Sequence, residues 1–422
     1  MKVSVIGLGY IGLPTSALLA SHGVEVAGFD INQNIIDTIK HGKIHIEEPD
    51  LDVLVQESIE SGNFRVTNCL EKSNVFIVAV PTPFKGDHEP DLSFVKSAVA
   101  SIAPLLEKGN IVILESTIPV GSTEKMQELM ASLRPDLCFP KFNNVALNAD
   151  ISVAYCPERV LPGNIIRELV ENDRIIGGIS RACAERTQDF YNIFVKGDCL
   201  ITDCRTAELT KLVENAYRDV NIAFANELSL IAEKLKMNVW ELIKLANRHP
   251  RVNILQPGPG VGGHCIAVDP WFIINSAPDE TKLIHTARLV NDKKPMFVLN
   301  QVNHAVAALK KKREEINIAC LGLSYKPNID DLRESPALKI ALQLSLMGFS
   351  KEYIVEPNIK NIPDVFVKDS VELVSLEKAI NESDILVLLV DHKQFKEIKP
   401  DFLVGKQVLD TRGMFVEVND EF

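Results

Sequence analysis

The sequence predicts an α/β fold: two doubly wound parallel sheets joined by a central helical domain that contains one long helix. Two observations carry this prediction. Short apolar runs alternate with helical sequence in both the first and the last part of the 422-residue chain, which is the pattern of parallel strands covered by helices. Between them, Arg205 to Leu235 has helical periodicity and lacks Gly and Pro. We therefore expect domains at residues 1–200, 201–312 and 313–422.

The N-terminal segment begins with a strand, a glycine turn and a helix. KVSVIGLG is an apolar run typical of a buried parallel strand, GLGYIG turns the chain, and PTSALLASHG has the pattern of a helix that ends at glycine. VEVAGFD is a second strand that ends in Asp30, and further strands are predicted at residues 75–83, 111–117 and 153–158. This strand–helix–strand order predicts the first parallel sheet.

The middle of the chain is helical, and a second α/β segment follows it. The helix predicted for Arg205 to Leu235 would be roughly 45 Å long, enough to link two domains and to pack against a second subunit. Further helices are predicted at residues 239–248 and 283–312. INIACLGLSYKP again joins an apolar strand to a glycine turn, and SPALKIALQLSLMG, YIVEP, DILVLLVDH and KQVLDTRG supply the next helix and strands.

Composition limits the possible functions. A run of about 20 apolar residues that would predict a membrane span does not occur, and the N-terminus lacks the features of a signal peptide. A net charge of −12 argues against a nucleic-acid partner. The eight cysteines are scattered and form no CxxC pair, which argues against a zinc site or a disulfide framework. We therefore expect a cytoplasmic protein with no metal site.

The first glycine turn has the features of a dinucleotide site. Gly7, Gly9 and Gly12 form a G-x-G-x-x-G between a strand and a helix, where a pyrophosphate can approach backbone N–H groups. Asp30 lies 18 positions beyond Gly12, and a carboxylate there binds a ribose diol and repels a 2′-phosphate. Three hydroxyls near the ends of later strands are expected in the same cleft: Thr82, Thr117 and Thr123. The pattern predicts a Rossmann-like domain that binds NAD rather than NADP.

The loop GPGVGGHCIAVDP surrounds one cysteine with four glycines. Residues this small cannot cover Cys265, so we expect an accessible thiol, with His264 and Asp269 as possible proton partners. Glycines also let backbone N–H groups face an anion. A simple turn with a buried thiol is the alternative. An accessible thiol beside an NAD site favours covalent oxidation of an aldehyde, in which a thiohemiacetal loses hydride and gives a thioester that water hydrolyses.

Polar residues elsewhere could serve the same chemistry. Lys211, Asn215 and Arg218 lie on one helical face, although a solvated polar stripe is the usual explanation of such a pattern. Glu158 follows a strand and offers either a carboxylate at the sheet edge or a surface ion pair. Positive charge for a diphosphate is expected from three residues of the second α/β segment: Lys326, Arg333 and Arg412.

The chain resembles the nucleotide-sugar 6-dehydrogenases, the family that contains UDP-glucose dehydrogenase, along nearly its whole length. The resemblance rests on GLGYIG, VPTP, ESTIPVGST, PERVLPG, AELTKLVENAYRDVNIAFANEL, GVGGHCIAVDP, GLSYKPNIDDLRESPA and DTRG. VPTPFKGDHEPD and LVDHKQFK look most like the branch that acts on UDP-N-acetyl-D-mannosamine. The resemblance implies NAD-dependent oxidation of the sugar's C6 alcohol to a carboxylate, in a homodimer formed through the long helix. UDP-N-acetylglucosamine and UDP-glucose are the alternative substrates.

The resemblance also implies roles for individual residues. Cys265 matches the nucleophile, Lys211 an acid/base and oxyanion stabiliser, and Asn215 an oxyanion or water partner. Asp269 matches a residue that supports proton transfer, and Glu158 a glutamate near the reacting carbon. The dinucleotide contacts are matched by Tyr10, Ile11, Asp30, Thr82, Thr117 and Arg333. Besides Lys211 and Asn215, the positions around the UDP-sugar are matched by Arg159, Val160, Arg218, His249, Arg251, Gly262, Tyr325, Lys326 and Arg412. The loop at 249–251 is implied to reach the neighbouring subunit's site.

Overall fold

Two sheets of mainly parallel strands lie where the sequence predicts them. The computed structural model describes residues 1–86, 88–142, 149–161, 163–263 and 265–415. The strands up to residue 203 are β1 (Lys2–Ile6), β2 (Glu25–Phe29), β3 (Phe64–Thr67), β4 (Val75–Val78), β5 (Phe84–Lys85), β6 (Glu89–Pro90), β7 (Ile111–Leu114), β8 (Ser152–Tyr155), β9 (Arg174–Gly178) and β10 (Cys199–Asp203). The helices in this part are α1 (Gly12–Ser21), α2 (Gln33–Lys40), α3 (Leu51–Glu60), α4 (Ser93–Ile102), α5 (Ser122–Leu133), α6 (Ile165–Glu171) and α7 (Arg181–Tyr191).

The first sheet has, in the described part of the chain, the strand order β10-β9-β8-β7-β4-β1-β2-β3. β8 and β9 pair antiparallel, whereas β1 pairs in parallel with both β2 and β4. The order reverses at β1, and open α/β sheets bind their ligands at such a reversal. Every residue of β4 and β7 is buried, as expected for strands with helices on both faces. Both strands end earlier than predicted, so VPTP and EST form loops at the sheet edge.

The second half of the chain is helical and then returns to α/β structure. Its helices are α8 (Cys204–Lys234), α9 (Val239–Ala246), α10 (Asp269–Ser276), α11 (Lys282–Leu309), α12 (Pro336–Ser345) and α13 (Leu376–Glu382). Its strands are β11 (Asn317–Leu321), β12 (Lys351–Val355), β13 (Val371–Leu373), β14 (Ile385–Leu388) and β15 (Gln407–Asp410). They form a parallel sheet in the order β13-β12-β11-β14-β15, which repeats the reversal at its first strand.

The long central helix is confirmed. α8 has 31 residues and differs from the predicted range by one residue at each end. Internal contacts divide the chain into two compact units, residues 1–214 with 271–276 and residues 215–270 with 277–422. The finer division into three domains stays a prediction. No helix among the described residues is long and apolar enough to cross a membrane.

Both sheets begin with the same backbone turn. Gly7 after β1 and Gly322 after β11 have φ values of +93° and +92°, a region that favours glycine. Each donates its N–H to the last carbonyl of the second strand, at 2.9 and 2.8 Å. The next N–H in each turn donates to an acidic side chain, Asp30 at 2.9 Å and Glu356 at 2.8 Å. The two turns differ in one respect, since Nε2 of the buried His392 lies 3.0 Å from the Glu356 carboxylate.

Candidate active site

The glycine turn after β1 has two crowded positions and one open position. A Cβ on Gly12 would lie 1.8 Å from the carbonyl oxygen of Gly7, and a Cβ on Gly7 would lie 2.6 Å from that of Ala79. These two glycines are therefore required by the turn itself. A Cβ on Gly9 would meet nothing within 4 Å. Because α1 begins beside this open backbone, the N-terminus of the helix offers N–H groups to an anion, and the turn fits a pyrophosphate.

Asp30 is placed to bind a ribose at the same edge. Its Oδ2 accepts the N–H of Leu8 at 2.9 Å, and its Oδ1 accepts that of Asn32 at 2.8 Å. These bonds fix the carboxylate, and each oxygen retains a further lone pair for a hydroxyl donor. Of the other residues predicted to contact the cofactor, Tyr10 is exposed and three are half-buried: Ile11, Thr82 and Thr117.

Thr123 is hydrogen-bonded to a residue of the long central helix α8. Its N–H and its hydroxyl donate to Oε1 of Glu208 at 2.7 and 2.6 Å, and the N–H of Gly121 donates to Oε2 at 2.6 Å. Glu208 lies on α8 and is fully buried; burial raises the pKa of this carboxyl group. Sequence reasoning missed Glu208, although an acidic residue between Ala207 and Leu209 was a signal. The role of Thr123 as a direct cofactor contact stays a prediction.

Cys265 is exposed, as predicted. Its carbonyl accepts the N–H groups of Val268 at 3.0 Å and Asp269 at 2.8 Å, so a tight turn places the cysteine directly before α10. Asp269 is the first residue of that helix and is buried, and Asn215 donates to its Oδ2 at 2.6 Å. The structure thus brings Asp269 and Asn215 together close to the cysteine turn. His264 lies outside the described residues.

The glycines before Cys265 allow close packing. A Cβ on Gly262 would lie 2.7 Å from Cβ of Tyr325, and one on Gly258 would lie 2.5 Å from Nη1 of Arg412. Gly263 has a φ of +81° and donates its N–H to the carbonyl of Arg333 at 3.2 Å. These glycines therefore leave the thiol accessible and also let the loop pack closely against three predicted ligand-binding residues from distant parts of the sequence: Tyr325, Arg333 and Arg412.

A buried polar network, missed by sequence reasoning, holds this loop. The N–H of Gly258 donates to Oδ1 of Asn226 at 2.9 Å, and Asn226 donates to Asn291 at 2.8 Å. Asn291 in turn donates to Asp219 at 2.8 Å, and Asp219 pairs with Arg288. Burial raises the pKa of Asp219 to about 6. Residues of α8 and α11 thus position the loop through hydrogen bonds that sequence spacing does not reveal.

Several predicted site residues lie in the first compact unit. Lys211 on α8 is buried. Glu158 accepts the N–H of Arg159 at 2.6 Å, and the guanidinium of Arg159 pairs with Glu214 at 2.7 Å. Val160 is half-buried and packs against the core. Glu158 and Arg159 therefore follow the end of β8, and Lys211 lies within α8, as the sequence predicts.

The remaining predicted residues lie in the second unit. The guanidinium of Arg412 pairs with Asp391 at 2.7 Å, and that of Arg333 with Asp331 at 2.6 Å. Lys326 is half-buried after the β11 turn. The exposed members of the set are Arg218, His249, Arg251 and Arg333. Among the described residues, no group of His, Cys, Asp and Glu could hold a metal ion.

A glycine turn that fits a pyrophosphate and an acidic partner for a ribose define a dinucleotide-binding domain. Models of the UDP-glucose/GDP-mannose dehydrogenase family match the chain in three segments: the NAD binding domain at residues 1–195, the central domain at 205–293 and the UDP binding domain at 319–417. The chain belongs to this family and is an NAD-dependent dehydrogenase of nucleotide sugars.

Individual relatives are similar along their full length. The chain is 55% identical over 417 residues to UDP-N-acetyl-D-mannosamine dehydrogenase of Escherichia coli, covering 98% of this chain and 99% of the relative. It is 55% identical over 413 residues to NDP-N-acetyl-D-galactosaminuronic acid dehydrogenase of Ralstonia nicotianae, covering 98% and 96%. The solved structure of UDP-D-ManNAc dehydrogenase from Pyrococcus horikoshii is 40% identical with a TM-score of 0.87, over 98% of this chain and 96% of that one. The predicted fold class is confirmed.

Proposed function

We propose that this chain oxidises UDP-N-acetyl-D-mannosamine at C6 to UDP-N-acetyl-D-mannosaminuronate, with two NAD⁺ per sugar, for bacterial surface polysaccharide. The observation that carries the proposal is the exposed Cys265 in a tight turn before the buried Asp269, which Asn215 holds at 2.6 Å. A two-electron alcohol dehydrogenase needs no accessible cysteine. The names of the Escherichia coli and Pyrococcus horikoshii relatives support the choice of sugar.

The chain's own residues account for each step after the first oxidation. NAD supplies the hydride acceptor. The thiolate of Cys265 adds to the C6 aldehyde, the thiohemiacetal carbon loses hydride, and a thioester remains. Lys211 stabilises the oxyanion. A water held by Asp269, Asn215 and Glu158 then adds to the thioester, which releases the carboxylate and regenerates the thiol.

The UDP-sugar is assigned to residues around the glycine loop. Arg412 and Lys326 supply positive charge for the diphosphate in a chain of net charge −12, while Tyr325 and Gly262 are in close contact with each other. We assign the following residues to the same ligand: Arg159, Val160, Arg218, His249 and Arg251. The dinucleotide is assigned to the β1 turn with Asp30, and Arg333 completes that set.

A second substrate deserves a parallel test, because the Ralstonia nicotianae relative is named for an N-acetylgalactosaminuronic acid at the same 55% identity. The alternative is therefore another N-acetylated UDP-hexosamine. Steady-state assays that count NADH per sugar would separate the candidates: UDP-N-acetylmannosamine, UDP-N-acetylglucosamine, UDP-N-acetylgalactosamine and UDP-glucose. We expect two NADH per UDP-N-acetylmannosamine and the highest kcat/KM for that sugar. A stoichiometry of one would contradict the four-electron reaction.

We also propose a homodimer formed through α8. Tyr217, Phe224 and Ile231 are 71%, 53% and 48% exposed and follow one another at intervals of seven residues. This spacing puts them on one face of the helix, and an apolar stripe of this kind favours a protein partner. In the described part of the chain, which includes all eight cysteines, none is paired in a disulfide, and this favours the reducing cytoplasm as the compartment.

The covalent step is tested by replacing the nucleophile. Cys265→Ala removes the only atom that can form the thioester, so uronate formation should fall by at least about a thousandfold, whereas NAD binding should be unchanged. The measurement is uronate by mass spectrometry together with NAD titration calorimetry. Cys69→Ala is the matched control, since Cys69 is also an exposed thiol and its loss should leave turnover unchanged. Normal uronate formation by Cys265→Ala would refute the covalent mechanism.

A further inference from the structure

A buried arginine, Arg174, faces the carboxylate of Glu158. Arg174 is the first residue of β9 and is buried, and its Nη2 lies 3.6 Å from Oε2 of Glu158. Its Nη1 lies 3.8 Å from Oε1 of Glu115, which is also buried. One cation therefore bridges two carboxylates that follow β7 and β8. This arrangement differs from the surface ion pair that the sequence left open for Glu158.

Two aromatic rings pack against the guanidinium group of this arginine. The Cζ atom of Arg174 lies 4.6 Å from the ring centroid of Tyr191 and 5.5 Å from that of Phe194. The hydroxyl of Tyr191 donates to Oε1 of Glu115 at 2.6 Å. Because a guanidinium is planar and stacks on a ring face, its amino groups are held in fixed directions. The guanidinium therefore presents a positive charge of fixed direction to the Glu158 carboxylate, 3.6 Å away.

Among the titratable groups of this cluster, Glu115 is the one that changes charge near neutral pH. The groups that face Arg174 from the surrounding elements are Glu115, Glu158, Cys156, Tyr191 and Cys199. Burial raises the pKa of Glu115 to about 7, that of Cys156 to about 12 and that of Tyr191 well above its ordinary value. Burial also raises the pKa of the Cys199 thiol. Near pH 7 the thiols and the phenol are therefore neutral, and the carboxyl group of Glu115 is close to its own pKa.

We propose that Arg174 is a positioning residue for Glu158 in nucleotide-sugar oxidation, and that Glu115 is the buried counter-carboxylate that keeps the arginine in place. The inference rests on the proposed function, because that function gives Glu158 its role at the substrate. Arg174 acts through Glu158. Arg174 therefore holds the Glu158 carboxylate in position, and an adjacent guanidinium in general favours the ionised form of a carboxyl group.

The test compares a double variant, which loses one positive and one negative charge, with a single variant. Removal of Arg174 alone would leave two buried carboxylates without their cation, which is strongly destabilising. The double variant Arg174→Met with Glu115→Gln removes one carboxylate together with the cation and so reduces this problem, and Glu115→Gln alone is its reference. We would measure kcat and KM for UDP-N-acetylmannosamine across the pH range, together with the unfolding temperature. Arg181→Met on α7 is the matched control, because Arg181 is exposed and pairs with Glu185 on the surface.

Positioning and structural roles give different results. If Arg174 positions Glu158, the double variant has a kcat at least about tenfold below that of Glu115→Gln at a similar unfolding temperature and KM. The acid limb of its pH profile also moves up by about one unit or more. The control should match the wild type. A double variant with the kcat and acid limb of Glu115→Gln would overturn the inference.

Arg174→Lys provides a second, independent measurement. It keeps the charge and loses the planar fork, so the acid limb should return to that of the wild type while kcat stays several-fold lower. A lysine variant with the wild-type kcat would overturn the positioning role, even if the double variant fails to fold. Wild-type protein that oxidises no UDP-sugar would instead refute the proposed function, and this result is obtained before any variant is compared.

Discussion

Two glycine substitutions in the same turn should separate folding from cofactor binding. Gly12→Ala places a methyl carbon 1.8 Å from a backbone oxygen. A backbone neighbour cannot move aside cheaply, so we expect a loss of about 3 kcal/mol or more. For a folding unit of this size, that corresponds to roughly 6–12 °C in the unfolding temperature. Gly9→Ala places its methyl group in open space, so the unfolding temperature should not fall.

Gly9→Ala should instead weaken NAD binding. The added methyl group occupies the surface at which the pyrophosphate approaches the backbone, and loss of one hydrogen bond to a charged group costs about 1.5–3 kcal/mol. The dissociation constant for NAD should therefore rise roughly 10- to 150-fold. Titration calorimetry measures the affinity and differential scanning calorimetry the stability.

A third glycine provides the control. Gly62→Ala strains a residue with a φ of +76° that has open space around it, so it should lower the unfolding temperature slightly and leave NAD affinity unchanged. Wild-type affinity in Gly9→Ala would show that the pyrophosphate does not bind at this turn. Wild-type stability in Gly12→Ala would show that the steric reasoning is wrong.

Three further predictions concern the loop, a buried acid and the subunit interface. Asn226→Ala leaves the N–H of Gly258 without its acceptor, so KM for the UDP-sugar should rise severalfold and stability should fall by about 2 kcal/mol; unchanged KM would refute the positioning role of the network. Burial raises the pKa of Glu352 from 4.5 to about 8, so the folded chain keeps a proton that the unfolded chain releases, and stability falls as pH rises through this window. Glu352→Gln should reduce that fall by about 3 kcal/mol or more between about pH 5 and pH 8 in denaturant titrations, whereas a slope equal to that of the wild type would contradict it. Phe224→Asp should halve the sedimentation mass, while Leu346→Asp, which replaces another exposed apolar residue, should not; a dimeric Phe224→Asp protein would exclude this interface.

Local patterns were sufficient for the elements with strong periodicity. α8 could be predicted to within a residue because 31 consecutive residues carry helical spacing, and β1 and β11 because an apolar run precedes a glycine turn. β9 and β13 were missed. RIIGG contains two glycines and VEL has only three residues, so pairing with neighbouring strands decides their conformation, and such pairing is not visible in a short window.

The candidate site also contains features that local sequence predicts and features that depend on distant partners. The exposure of Cys265 follows from its small neighbours, which are adjacent in sequence. Glu208, Arg174 and Asn226 contact partners that lie 85, 59 and 32 positions away in the sequence, and only the fold brings such residues together. Sequence therefore suggested candidates for the chemistry and missed the buried residues that contact the surrounding turns and loops.

The acidic side chains of the two glycine turns differ in what they can still bind. The carboxylate of Glu356 already has His392 as a side-chain partner, whereas Asp30 remains able to accept a hydrogen bond from a ribose. Of these two turns, the one after β1 is therefore the candidate dinucleotide site, and the proposed double oxidation has to use it twice. The NADH formed in the first oxidation must leave before a second NAD⁺ can accept hydride. The half-oxidised sugar has to wait through that exchange. The proposed covalent bond to Cys265 would give it a residence time that does not depend on how tightly the nucleotide is held.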